Sequence, residues 1–366
     1  MSNSQGSRGP LQPLYVDCAN GVGAIAVEEF QKYIGDLFQL KPINKDINTL
    51  GALNSQCGAD FVKTKQTLPP SVASAGFLTA PNTRAASFDG DADRLIYYYL
   101  RDGKTFRLLD GDKIAVLSAL FIGDLVQRAN LGDKIKLGVV QTAYANGSST
   151  KFIKQVGRVG VSNLQMLTSQ RNIPVVCTPT GVKHLHHAAT RFDIGVYFEA
   201  NGHGTVLFSE EALATFKGTE PSSPEQANAI KNLVALSEVI NQAVGDALSD
   251  LLLVEVVLAH RGYGAAEWDA SYEDLPNRLV KVEVPDRSIF LTTDAERKLT
   301  SPPGLQQLID DAVNKVDAGR SFVRPSGTED CVRVYAEAAT TNAAETLAAT
   351  VSDLVKDTAN KIAGKA

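Results

Sequence analysis

The stretch Leu14-Tyr15-Val16-Asp17-Cys18-Ala19-Asn20-Gly21-Val22-Gly23 decides how the chain folds. Leu14 to Asp17 reads as a buried strand, Cys18 to Gly23 as a tight glycine turn, and the residues through Phe30 and Ile34 as an amphipathic helix. Strand, glycine turn and helix open an α/β unit, and such units place ligands at the carboxyl ends of their strands. The next clear strand, Ala85 to Phe88, ends in Asp89-Gly90-Asp91-Ala92-Asp93-Arg94. Asp110-Gly111-Asp112-Lys113 then turns the chain into a long apolar helix from Ile114 to Val126, which predicts a first boundary there.

The same logic repeats. Lys136 to Gln141 predicts a strand, Thr142 to Ser149 a loop of small residues entering a helix, and Pro174 to Cys177 a strand ending at Thr178-Pro179-Thr180-Gly181-Val182-Lys183-His184. Ile194 to Phe198 predicts another, ending at Glu199-Ala200-Asn201-Gly202-His203-Gly204. Helical periodicity runs from Glu225 to Val244 through Ile230, Leu233, Val234 and Ile240, and an apolar run from Leu251 to Leu258 closes the unit before Gly262 to Gly264. The remainder changes rhythm. It offers a strand from Leu279 to Val284, a helix with Leu305, Leu308, Ile309, Ala312 and Val316 on one face, a strand from Cys331 to Glu337 and a last helix from Ala343. The expected fold class is α/β, with two mixed-sheet α/β units followed by a smaller α+β unit, over residues 11–109, 110–262 and 263–366.

At 366 residues, with 44% hydrophobic and 21% charged content, the chain can bury several cores. A net charge of -5 without a basic stripe argues against nucleic acid as a partner. Cys18, Cys57, Cys177 and Cys331 lack the spacing of a zinc site or a disulfide framework, and the polar segment Met1 to Pro10 is not a secretory signal. No apolar run approaches membrane-spanning length, so a membrane partner is not expected and the location is expected to be cytoplasmic.

Asp89, Asp91 and Asp93 alternate directly after an apolar strand and can converge on one hard cation, with Arg94 beside them. An EF-hand is excluded by Arg94 at the sixth position, where glycine is required, and Leu100 at the twelfth, where a bidentate Glu is required. Few ligands, all oxygen, favour Mg²⁺; the bland alternative is a solvated Asp-Gly turn. Arg324-Pro325-Ser326-Gly327-Thr328-Glu329-Asp330 offers a guanidinium, two hydroxyls and a glycine N–H for a phosphate, with Arg333 as a second cation, against the alternative of a Pro-Gly turn. Glu199, Asn201 and His203 alternate and, on an extended backbone, would all face one ligand such as a ring of sugar hydroxyls. The competing reading is a hairpin with an Asn-Gly turn between Phe198 and Thr205. Lys183 and His184 are candidate acid-base or phosphate-contacting groups, whereas His186 and His187 read as structural.

As a whole, from about Leu14 to its end, the chain resembles the phosphoacetylglucosamine mutase family of the α-D-phosphohexomutase superfamily. The resemblance is carried by Phe88 to Arg94, Gln141 to Gly147, Thr180 to His187, Tyr197 to Gly204 and Val323 to Tyr335. It implies interconversion of N-acetylglucosamine 6-phosphate and N-acetylglucosamine 1-phosphate on the route to UDP-N-acetylglucosamine, through a phosphoserine and a bisphosphate intermediate. By the same resemblance, Asp89, Asp91 and Asp93 hold Mg²⁺ and Arg94, Lys183 and His184 serve the chemistry. Thr180, Gly181, Glu199, Asn201 and His203 grip the sugar, and Arg324, Ser326, Gly327, Thr328 and Arg333 take the non-reacting phosphate.

Two departures follow. Family members carry their reactive serine in a Thr-Ala-Ser-His-Asn-like loop, and here no histidine follows a serine. The expectation is therefore a chain equivalent to domains two, three and four of the family, inactive alone for want of the phosphoserine domain. Gly157 to Asn172 interrupts the family pattern between Val156 and Ile173, as translated intron or a gene-model error would. The competing functions are a non-catalytic sugar-phosphate-binding protein derived from a mutase, and a metal-dependent phosphatase using Asp89 as its nucleophile.

Overall fold

The computed structural model describes residues 13–80, 83–156, 173–327 and 329–364. Gly157 to Asn172 and the candidate phosphate ligand Thr328 lie outside the described residues.

In the first unit β1 (Leu14–Asp17) leads into α1 (Gly23–Ile34) and β2 (Leu40–Ile43), followed by α2 (Ala59–Lys65) and α3 (Pro70–Ala75). β3 (Arg84–Phe88), β4 (Leu95–Arg101) and β5 (Thr105–Leu109) complete a sheet in the order β2-β1-β3-β4-β5. β1 pairs in parallel with β2 and β3, while β4 and β5 return antiparallel. In the second unit α4 (Gly111–Arg128) precedes β6 (Leu137–Thr142), α5 (Gly147–Val156), β7 (Val175–Thr178), α6 (Val182–Ala189), β8 (Ile194–Phe198) and β9 (Gly204–Phe208). Its sheet has the order β7-β6-β8-β9, parallel except for β9. α7 (Glu210–Gly218), α8 (Pro224–Val239), α9 (Ala247–Arg261) and α10 (Ala265–Asp269) follow.

These two units share one apolar core running from Leu14 to Tyr272. α4 lies inside it, and every residue from Gly111 to Val126 is buried. That explains why Ile114 to Val126 reads as apolar all round rather than on one face. Lys113, fully buried at the start of α4, donates to the Asp269 and Tyr272 carbonyls and lies 3.8 Å from the centre of the Tyr272 ring. Asp110 caps the same helix through the N–H groups of Asp112 and Lys113.

The helix expected to reach Val244 stops at Val239. The Asn241 side chain takes the Ala243 and Val244 N–H groups, and the Asn241 N–H donates to Ser249 Oγ, so local side-chain bonds replace the helical ladder. The apolar run from Leu251 to Leu258 lies in α9, capped by Asp246 and ended at Gly262.

The third unit has its own core. β10 (Asn277–Glu283), the hairpin β11 (Leu291–Thr293) and β12 (Lys298–Ser301), α11 (Leu305–Val313), β13 (Arg320–Pro325), β14 (Cys331–Glu337) and α12 (Thr341–Ile362) follow in order. β10, β14 and β13 form an antiparallel sheet with α11 and α12 over one face. On the other face, Phe322 and Tyr335 receive Tyr144 from the loop after β6, with ring centres 5.1 and 6.0 Å away. Arg320 fixes this seat by donating to the Ala143 and Ala145 carbonyls and to Glu337, which also accepts the Gly147 N–H. Among the described residues, no helix is long and apolar enough to cross a membrane.

Candidate functional site

β3 ends at Phe88, and the acidic loop folds back because Asp89 Oδ1 accepts the N–H groups of Asp93 (3.0 Å) and Arg94 (3.1 Å). Carboxylate oxygens of Asp89, Asp91 and Asp93 thereby lie within 4.8 Å of one another. The opening glycine turn supports this loop from below: Val22 N–H donates to the Gly90 carbonyl, and a Cβ at Gly21 would collide with that carbonyl. Burial first, then the Asp93 charge, pushes the Asp89 carboxyl up to about 7. Asp93 Oδ1 is buried with no hydrogen-bond partner. Three crowded oxygen donors, one of them orphaned, fit a hard divalent cation such as Mg²⁺, whose charge offsets the repulsion among them.

Arg94 stands on the rim of this loop. Its Nη1 donates to both oxygens of Asp60 at 2.8 Å, and its Nε lies 3.5 Å from Asp89 and 3.7 Å from Asp93. The guanidinium is therefore fixed by carboxylates on two sides.

Residues 199–204 close the β8–β9 hairpin, with Glu199 N–H donating to the His203 carbonyl (2.8 Å) and Gly202 N–H to the Glu199 carbonyl (2.9 Å). The backbone is the tight hairpin turn of the competing reading rather than an extended loop, so period-two geometry does not apply to Glu199, Asn201 and His203. Glu199 Oε1 accepts the Gly181 N–H at 3.0 Å, with Asn201 beside it at 3.4 Å. His203 meets the acidic loop, its Nδ1 3.3 Å from Asp93 Oδ2. The turn packs so closely on the metal loop that Leu95 N–H donates to the Gly202 carbonyl, while a Cβ at Gly111 would run into the Glu199 carbonyl.

Thr180 and Gly181 precede α6, and Gly181 takes a φ of 119°. Lys183 and His184 are exposed on the first turn of α6, and among the described residues their side chains make no hydrogen bond or ion pair. His186 Nδ1 shares a hydrogen bond of 3.0 Å with the Tyr197 hydroxyl.

Arg324 on β13 and Arg333 on β14 are register partners. The loop between them is closed by Ser326 N–H on the Cys331 carbonyl and by Glu329 N–H on Ser326 Oγ, and open space surrounds Gly327. A residue the sequence did not single out joins Arg324 to the loop before α6. Glu296, in the β11–β12 turn, lies 2.9 Å from Arg324 Nε and accepts from both the N–H (2.9 Å) and the hydroxyl (2.6 Å) of Thr180. Thr293-Asp294-Ala295-Glu296-Arg297 carries no local signal beyond that of a polar turn, so only the tertiary contact identifies it.

A continuous path of contacts therefore runs from Asp93 to His203, through the hairpin to Glu199, on to Gly181 and Thr180, and by Glu296 to Arg324. Carboxylate, hydrogen-bonding and guanidinium groups border one another near strand ends, and the fold is that of the phosphohexomutase class. Profiles for phosphoacetylglucosamine mutase AMG1 domains II and III match residues 6–96 and 110–263, and one for the phosphoglucomutase/phosphomannomutase C-terminal domain matches 279–354. Phosphoacetylglucosamine mutase of Candida albicans is 51% identical over 93% of this chain and 60% of its own length, and that of Homo sapiens is 48% identical over 93% and 58%. The crystal structure of Aspergillus fumigatus N-acetylphosphoglucosamine mutase in complex with GlcNAc-6P and magnesium is 55% identical, with a TM-score of 0.86 over 95% of this chain and 66% of that one. The chain belongs to the phosphoacetylglucosamine mutase family and spans about 60% of the length of the curated relatives it matches.

Proposed function

We propose that this chain provides the metal, sugar and distal-phosphate sites of a mutase interconverting N-acetylglucosamine 6-phosphate and N-acetylglucosamine 1-phosphate for UDP-N-acetylglucosamine synthesis. The observation that supports the reading is the contact path from Asp93 to Arg324, which links groups suited to a cation, a sugar ring and a phosphate. Asp89, Asp91 and Asp93 would hold Mg²⁺, which when bound would supply positive charge to phosphoryl oxygens. Arg94, already fixed by Asp60, adds a rigid guanidinium beside them. Glu199 and Asn201 accept from and donate to sugar hydroxyls, with Thr180 and Gly181 shaping the same wall and His203 steadying Asp93. Arg324, Arg333, Ser326, Gly327 and Thr328 hold the phosphate that is not transferred, so the other end of the sugar is positioned for transfer. Lys183 and His184, exposed at the helix start, are available to move a proton or meet the transferring phosphate. Four free cysteines support a reducing, cytoplasmic location.

Calorimetry with N-acetylglucosamine 6-phosphate in Mg²⁺ buffer tests the reading. Saturable binding that E199A and R324A each abolish supports it, and absence of binding refutes it. Conversion to the 1-phosphate, read by phosphorus NMR, would exclude the competing role, a non-catalytic sugar-phosphate-binding protein.

A further inference from the structure

Glu296 occupies the β11–β12 turn with Asp294 and Ala295, all three in left-handed backbone (φ 67°, 52° and 53°), a region disfavoured for residues that carry a Cβ. The turn delivers one carboxylate to two units at once. Its Oε2 takes both donors of Thr180, and its Oε1 forms an ion pair with Arg324, 2.9 Å from Nε. Partial burial opposes ionisation of this carboxyl, but the Thr180 donors and Arg324 outweigh it and hold the group below the usual glutamate range. It is a full anion, fixed on a guanidinium of the phosphate cradle.

Arg324 stands opposite Arg333, beside the Ser326–Gly327 turn, so a phosphate held there draws on the cation that Glu296 already engages. Two anions on one guanidinium repel, and the phosphate must loosen the carboxylate to bind fully. Resting on the reading of Arg324 as a phosphate ligand, we propose that Glu296 is a positioning residue, a built-in anionic placeholder. It holds Arg324 and the Thr180 loop in their binding places and yields Arg324 to the incoming phosphate. Phosphate affinity is then set by displacement of this carboxylate. That moderates a cradle which, in the proposed reaction, must release one phosphate of a bisphosphate and accept the other; uniformly tight binding would slow that exchange.

The test is a titration of the full chain with inorganic phosphate at constant ionic strength, read by calorimetry and by melting temperature. E296Q keeps the shape and removes the charge. Its melting temperature without phosphate should fall by a few degrees, while its phosphate affinity should rise about tenfold over the parent. A purely structural strut predicts the opposite sign for affinity, and equal or weaker phosphate binding in E296Q overturns the proposal. Should E296Q not fold, E296D carries the test, with a smaller gain expected because the shortened carboxylate cannot reach both partners. R324A should abolish the phosphate response, and a response that persists in R324A, or none in any variant, also overturns the proposal. A gain in E296Q for inorganic phosphate, with no binding of N-acetylglucosamine 6-phosphate by any variant, keeps the placeholder and sinks the substrate assignment instead.

Discussion

Arg324 of β13 and Arg333 of β14 face each other directly across an antiparallel pair, and Lys281 of β10 continues the row on the far side of Arg333. Like charges directly opposite one another destabilise a sheet. Glu296 offsets Arg324 and Glu329 offsets Lys281 at 3.2 Å, but among the described residues Arg333 has no carboxylate within ion-pair reach. A row of cations kept against its own repulsion suits an anion site. R333A is expected to leave the melting temperature unchanged or slightly raised while weakening N-acetylglucosamine 6-phosphate about 10- to 100-fold by calorimetry. A large loss of stability would assign Arg333 to the architecture.

The two ion pairs Arg84–Glu255 and Arg94–Asp60 should differ sharply in what they contribute. Glu255 is buried and accepts from Arg84 and from the Tyr97 hydroxyl, so E255A strands a buried guanidinium and a buried hydroxyl. A cost of about 3–5 kcal/mol is expected in urea denaturation. Asp60 is 62% exposed, and D60A should cost about 1 kcal/mol or less, its effect appearing in the placement of Arg94.

What the sequence made legible was local. β8 and β14 fall on the residues read as strands, and the Asp89 loop follows its strand as the glycine-punctuated pattern required. The Leu95–Arg101 strand was missed because its inner residues are buried on both faces and show no period of two. Spacing cannot tell a tight turn from an extended loop, so both readings of Glu199, Asn201 and His203 stayed open. Glu296 was beyond reach, since its role depends on Thr180 and Arg324, neither of which is near in sequence.

Gly202 has a φ of 91°, and a Cβ there would collide with the Leu95 carbonyl. G202A should destabilise the fold by about 2–4 kcal/mol and lift the hairpin off the metal loop. Because the hairpin carries Glu199 and Asn201 while His203 steadies Asp93, Mg²⁺ and sugar phosphate affinities should fall together in calorimetry. Loss of one without the other would show that the two loops act independently.

Burial, followed by the charge of Asp110, pushes the Asp274 carboxyl up to about 7, and its Oδ1 has no hydrogen-bond partner. The native state then holds this proton where the unfolded chain, at the ordinary aspartate value of 3.8, has lost it. Stability should fall as pH rises from about 4 to about 7 and level off above. D274N removes that contribution, so its stability relative to the parent should grow across the same window. Denaturation of both chains at pH 4.5 and pH 8 checks this, and a pH-independent difference would rule out the assignment.

Asp89 and Asp91 should separate metal binding from loop integrity. Asp91 is exposed and, among the described residues, accepts no hydrogen bond, so D91N removes a ligand charge without disturbing the fold. Asp89 is buried and accepts two backbone N–H groups, so D89N weakens the bonds that fold the loop as well as the donor set. Mg²⁺ should raise the melting temperature of the parent chain by mass action, and EDTA should reverse it. D91N should match the parent in EDTA while needing roughly 10- to 100-fold more Mg²⁺ for the same rise, whereas D89N should melt lower in EDTA and respond to Mg²⁺ hardly at all. A D91N chain that responds to Mg²⁺ as the parent does would remove Asp91 from the site and leave two carboxylates, too few to hold the ion without help from substrate.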